Sequence, residues 1–131
     1  MKIFLSFGSL LATLGVILGA FGAHVLKTRL SPENLQVFET GVRYQMYHSL
    51  ALILLFIIGQ KINSSYINYS GWFFVVGIFL FSGSIFLLAT RELLGIESWK
   101  SFLGPITPFG GMCFILGWIF LFLAAFKSPG N

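Results

Sequence analysis

The chain has 131 residues, of which 56% are hydrophobic and only 9% charged, with a formal net charge of +4 and no aspartate. Soluble domains carry about 25% charged residues, so a water-exposed surface is excluded and one membrane-embedded domain over residues 1–131 is expected. The basic residues are scattered singly, which excludes a nucleic-acid footprint, and the lone Cys113 lies in an apolar run, which excludes a disulfide framework and a cysteine metal site.

Residues 3–23 carry no charge and are long enough to cross a bilayer, whose ~30 Å core takes ~20 helical residues. A cleaved signal peptide is the competing reading, with Ala20-Phe21-Gly22 as its cleavage pattern, but the run exceeds the ~7–15-residue apolar core of such segments. Gly8, Ala12, Gly15, Gly19 and Ala23 recur every three or four residues, so one helix face is nearly bare. A face of that kind lets another backbone approach closely, here most simply another helix of the same chain. His24, Lys27 and Arg29 then place cations near the negative end of this helix.

Ser31-Pro32 is a helix start: serine at the N-cap, proline where the missing N–H costs nothing, and Glu33 near the positive end of the dipole. A continuous helix from Pro32 to Gln60 would be roughly 43 Å long, more than a span requires. Residues 41–60 are therefore the expected span, and 32–40 an extension outside it or along the interface. Arg43, Gln45 and His48 then fall just inside the boundary. Gly41, Tyr44, Gln45 and His48 share one helical face, while Glu39, Arg43 and Tyr47 share roughly the opposite one, with Glu39 and Arg43 in an i, i+4 pair. The simplest role for these groups is packing and snorkelling. The functional alternative is that His24, Glu39, Arg43, Gln45 and His48 form a ligand site near the headgroups, to which the first helix delivers His24.

Several stretches carry a family resemblance. Leu18-Gly-Ala-Phe-Gly-Ala-His24, Leu30-Ser-Pro-Glu33 and Val37-Phe-Glu-Thr-Gly-Val-Arg-Tyr-Gln-Met-Tyr-His48 resemble the signature of a family of small bacterial membrane proteins, the domain-of-unknown-function family 423. Its eukaryotic relatives are called transmembrane protein 256. Phe81-Ser-Gly-Ser84 and Gly104-Pro-Ile-Thr-Pro-Phe-Gly-Gly111 resemble it as well. The resemblance implies a four-span membrane protein and no particular reaction.

Residues 61–70 read as a polar loop, with Tyr66 and Tyr69 suited to the membrane interface, and residues 71–90 as the third span. In that span Gly77, Ser82, Gly83 and Ser84 interrupt a phenylalanine-rich run, which predicts close packing and a slight bend from serines bonding back to carbonyls. Residues 91–103 alternate charge with bulk and read as an interfacial hairpin or short surface helix. Thr107-Pro108 repeats the cap-then-proline device and opens a fourth span over 108–126, lightened on one side by Gly110, Gly111 and Gly117. Trp118 falls near mid-membrane, which predicts an inward-packed ring with its N–H bonded.

The expected fold is an all-α membrane protein, a four-transmembrane-helix bundle with an extended second helix. Loop charges place both termini outside a bacterial inner (plasma) membrane: Lys2, Lys61 and Lys127 lie on their side, against Lys27, Arg29, Arg91 and Lys100 on the other. No nucleophile–base–acid set points to an enzyme, and the four glutamates all lie at or beyond span ends. The expectation is a structural or accessory, lipid-interacting bundle without catalytic residues, metal or cofactor. Its expected partners are membrane lipids, further copies of itself or a larger membrane complex, and not nucleic acid. A transporter or channel entered near His24, Arg43 and His48 is the alternative, and a carrier with His24 and His48 as haem ligands is the second.

Overall fold

The computed structural model describes residues 1–128. In chain order the elements are α1 (Lys2–His24), a 3-10 turn (Leu26–Thr28), α2 (Pro32–Ile58), α3 (Ser65–Gly77), a π-helical turn (Ile78–Ser82), α4 (Gly83–Ala89), α5 (Arg91–Leu94), a second 3-10 turn (Glu97–Trp99) and α6 (Lys100–Lys127). Four helical runs are long and apolar enough to cross a membrane: Lys2–Thr28, Pro32–Ile58, Ser65–Ala89 and Glu97–Lys127. The third of these joins α3, the π turn and α4 into one rod. The protein is an all-α bundle of four transmembrane helices.

The second helix starts as its sequence predicts. Ser31 is extended, and its hydroxyl accepts from the Asn34 N–H at 3.2 Å, with Pro32 in the first turn. The extension from Pro32 is helical throughout. Two other starts differ from expectation. The third rod begins at Ser65, because extended Ser64 caps the Tyr66 N–H at 3.3 Å, so most of the expected polar loop is helix. The fourth begins at Lys100, so Pro105 and Pro108 lie inside its first turns. Thr107 is accordingly no cap: its hydroxyl shares a 2.6 Å hydrogen bond with that of Ser84. Ahead of α6 stands a single short helix, α5, stopped by Gly95 at φ 67°, a left-handed backbone that glycine adopts without strain.

The two middle rods form the centre. In their apolar windows 39% (α2) and 44% (third rod) of residues are buried, against 22% for each of the outer helices, so α1 and α6 flank a central pair. Leu52, Leu55, Phe74 and Ile78 fill the seam, joined by Phe4 from α1 and Phe114 from α6. A smaller cluster of Leu26, Phe38 and Ala89 closes the bundle at the His24 end.

Glycines set how closely the outer helices approach. On α1, a methyl group at Gly8 would lie 2.8 Å from the Ser49 carbonyl oxygen and one at Gly15 would lie 2.7 Å from Met46 Sδ, while at Gly19 it would meet Val42 at 3.3 Å. Ala12, on the same face, is half-buried. On the other side Gly77 receives the Phe114 ring, Gly117 the Phe74 ring and Gly110 the backbone of Phe81. Gly83 departs from the expected packing role, since nothing lies within 4 Å of where its Cβ would be.

Where the sequence predicts a slight bend, the third rod carries a π turn, in which Gly83 N–H donates to the Ile78 carbonyl. Its serine reaches outward rather than back: Ser82 Oγ donates to the Gly41 carbonyl of α2 at 2.7 Å. Ser84 does bond within its own helix, to the Phe81 carbonyl at 3.0 Å. A π turn adds a residue to one helical turn and so rotates the residues beyond it about the helix axis. Here it sets Phe81 against α6 and Ser82 against α2 at neighbouring positions.

Candidate functional site

His48 is the one imidazole inside the bundle, 4% exposed on α2. Ile58 lies ten residues further on, so the ring sits about 15 Å from that helix end. Its Nδ1 lies 2.7 Å from the Tyr44 carbonyl oxygen, which only accepts, so Nδ1 carries the proton. Its Nε2 then accepts from the Trp118 indole N–H of α6 at 3.2 Å. The ring lies flat on Phe114, with centroids 3.5 Å apart and planes 5° apart, and tilted against Phe74.

Around this pair α2 and α6 part to form a cleft of about 480 Å³. Tyr44, His48, Phe81, Phe114 and Trp118 line it with rings, and Pro108 and Gly111 add flat, small surfaces from α6. The flanking Phe109, Met112 and Ile115 are exposed, so the mouth opens on the side that faces lipid. Among the described residues no carboxylate lies here; Glu33, Glu39, Glu92 and Glu97 are all exposed at the far ends of helices or in loops. Trp118 has its N–H bonded as expected, but its ring is 46% exposed along the mouth.

The five residues put forward from the sequence do not meet. The pairings Gly15 with Gln45 and Met46, Gly19 with Val42, and Gly22 with Phe38 run α1 antiparallel to α2. Extended to His24, they place it level with a point on α2 roughly 17 Å along the axis from His48. His24 is exposed at the bundle end. Gln45 turns toward α1, where its Nε2 donates to the Leu11 carbonyl at 2.8 Å, while His48 turns toward α6. The helical face they share is wide enough to serve two neighbours, and the glycine face of α1 claims one edge of it. Arg43 is exposed on the outer side of α2 and donates to Thr40 Oγ1 at 3.2 Å rather than pairing with Glu39, itself exposed.

This arrangement does not fit a haem held by two histidines. The imidazoles are far apart along the bundle, both His48 nitrogens are committed, and Phe114 covers one face of its ring. Among the described residues no three His, Cys, Asp or Glu side chains gather where they would hold a metal. The partners of His48 were half-legible in the sequence. A tryptophan far from the interfacial belt signals a bonded indole, but nothing local shows that its acceptor lies seventy positions away, at His48.

Comparison with known proteins places this architecture. A UPF0382 membrane protein of Staphylococcus aureus (strain bovine RF122 / ET3-1) is 42% identical over 130 residues, covering 99% of this chain and 100% of its own. A UPF0382 membrane protein of Staphylococcus haemolyticus is 41% identical over the same shares of each chain. The UPF0382 membrane protein YwdK of Bacillus subtilis is 41% identical over 97% of this chain and 98% of its own. No solved structure matches. The family described as Protein of unknown function (DUF423) matches residues 18–111, from the end of α1 through the first turns of α6. Four apolar spans, membrane-protein relatives alike over their full length and this match agree: the chain is an integral membrane protein of the DUF423 family, for which no enzymatic activity is named.

Proposed function

We propose that the protein is a non-catalytic, lipid-interacting bundle of a bacterial inner (plasma) membrane, whose α2–α6 cleft receives an acyl chain from the surrounding lipid. The observation that carries this reading is the state of the polar groups in the cleft. His48 donates from Nδ1 to the Tyr44 carbonyl and accepts at Nε2 from the Trp118 N–H, so neither side chain is free for proton transfer, nucleophilic attack or metal binding. There remains a lipid-facing, aromatic-walled space at the depth where acyl chains are the solvent. Both termini outside is the orientation favoured by the cations of the first and third loops.

The test is mass spectrometry of the intact protein released from mild detergent after purification from its membrane. Phospholipid adducts are expected on the wild type and should be largely lost in Gly111→Leu, which grows into the cleft from a position where a Cβ meets only Phe81 at 3.8 Å. Equal adducts on both proteins, with unchanged melting temperature, would overturn the reading.

A further inference from the structure

A second space lies on the opposite side of the central pair, between α1 and the third rod, with a volume of about 250 Å³. Leu14, Ile17, Phe79 and Phe86 line it, and Gly83 keeps its wall open, since nothing stands within 4 Å of its Cβ position. One polar side chain borders it, Gln45, which is 3% exposed. The amide orientation of Gln45 is decided by chemistry: only its nitrogen can donate to the Leu11 carbonyl, 2.8 Å away. Its Oε1 therefore has no hydrogen-bond donor among the described residues, yet it is not one of the fully enclosed unpaired atoms. Gln45 lines this groove, the open space beside its unpaired oxygen. Gln45 is all but buried in an apolar wall, where an acceptor without a donor carries a desolvation cost.

We propose that this groove binds an aliphatic molecule tipped with one hydroxyl, whose O–H donates to Gln45 Oε1 while its chain lies along Leu14, Ile17 and Phe79. The matching is chemical. A hydroxyl drawn into hydrocarbon and an amide oxygen stranded there each carry a desolvation cost, and one hydrogen bond offsets both. Phospholipid chains have no such donor, and their headgroups stay at the interface. Two sources share the chemistry, a long-chain alcohol and a fatty acid in its protonated form. The site is separate from the α2–α6 cleft and does not depend on its occupant.

The experiment is NMR of the whole protein, labelled with ¹⁵N-glutamine, in phosphatidylcholine nanodiscs. Three glutamines give three side-chain amide signals, Gln36, Gln45 and Gln60. Titrating 1-decanol should shift the Gln45 amide saturably and leave the others nearly still, whereas 1-methoxydecane, which has no donor, should not. Decanoic acid should act only below its own pKa if the acid is a source, and at no pH if only alcohols are. Gly83→Leu, which adds bulk to the groove from a position where a Cβ meets nothing within 4 Å, should abolish the response while leaving the unliganded spectrum of the bundle intact. An equal shift with the methyl ether, an unchanged response in Gly83→Leu, or no Gln45 shift with either hydroxyl compound would overturn the proposal.

Discussion

His48 separates two contributions that are usually tangled, ring packing and hydrogen bonding. His48→Phe keeps a flat ring against Phe114 but leaves the Trp118 N–H without its acceptor. Trp118→Phe leaves Nε2 without its donor. Removing one member of a bonded pair costs about 1–3 kcal/mol, whereas replacing both by apolar groups of similar shape is nearly neutral. The double variant His48→Phe/Trp118→Phe is therefore expected to melt higher than His48→Phe alone in detergent. Additive losses would show that the bond contributes nothing beyond ring contact. Ser82→Ala removes the hydroxyl that donates to the Gly41 carbonyl and should cost about 1 kcal/mol. A melting temperature identical to wild type would mean that the neighbouring contacts, not this bond, hold the π turn in place.

Glycines that look alike in the sequence differ in what they touch, and substitution should rank them. Gly8 faces the backbone oxygen of Ser49, which cannot swing aside, while Gly15 faces the end of a flexible Met46 and Gly19 meets Val42 less closely. Melting temperatures should fall in the order Gly19→Ala, Gly15→Ala, Gly8→Ala, from highest to lowest, with Gly110→Ala lower still because the Phe81 backbone lies in its path. Gly83→Ala should match or exceed wild type, since it gains helix propensity and meets nothing. Any large loss at Gly83 would contradict the open groove. The small face of α1 and the Ser31 cap were readable because both depend on residues within a few positions of one another. The π turn was not: it arises where the third rod must satisfy α2 and α6 together, and Gly77 and Gly83 bracket it without marking which of them is packed. The start of the fourth helix was misplaced for a related reason. Prolines in the first turns look like a boundary, yet here the helix runs through them, with Ser84 bonded to Thr107 between the two.

At the scale of the whole molecule, four apolar runs were countable in advance, but which helices sit at the centre depends on contacts between distant segments. The placing of the candidate ligand residues turned on the same point: their positions along the helices were legible, whereas the neighbour each side chain faces was not. Orientation is testable with single cysteines in a Cys113→Ala background. Lys61→Cys, in the loop between α2 and α3, should react with a membrane-impermeant maleimide on intact cells, and Glu97→Cys, before α6, should not. The reverse pattern would invert the topology. The seam between the two halves has a further consequence, for biogenesis. The glycine contacts and the Gln45–Leu11 bond tie α1 to α2, and the phenylalanine-into-glycine contacts tie the third rod to α6. Each half is thus a helical hairpin with its own internal ties, and the ribosome completes the first before the second exists. Two polypeptides, residues 1–62 and 63–131, expressed together should therefore insert as separate hairpins and re-form the bundle, with a tag on one retrieving the other from detergent extracts.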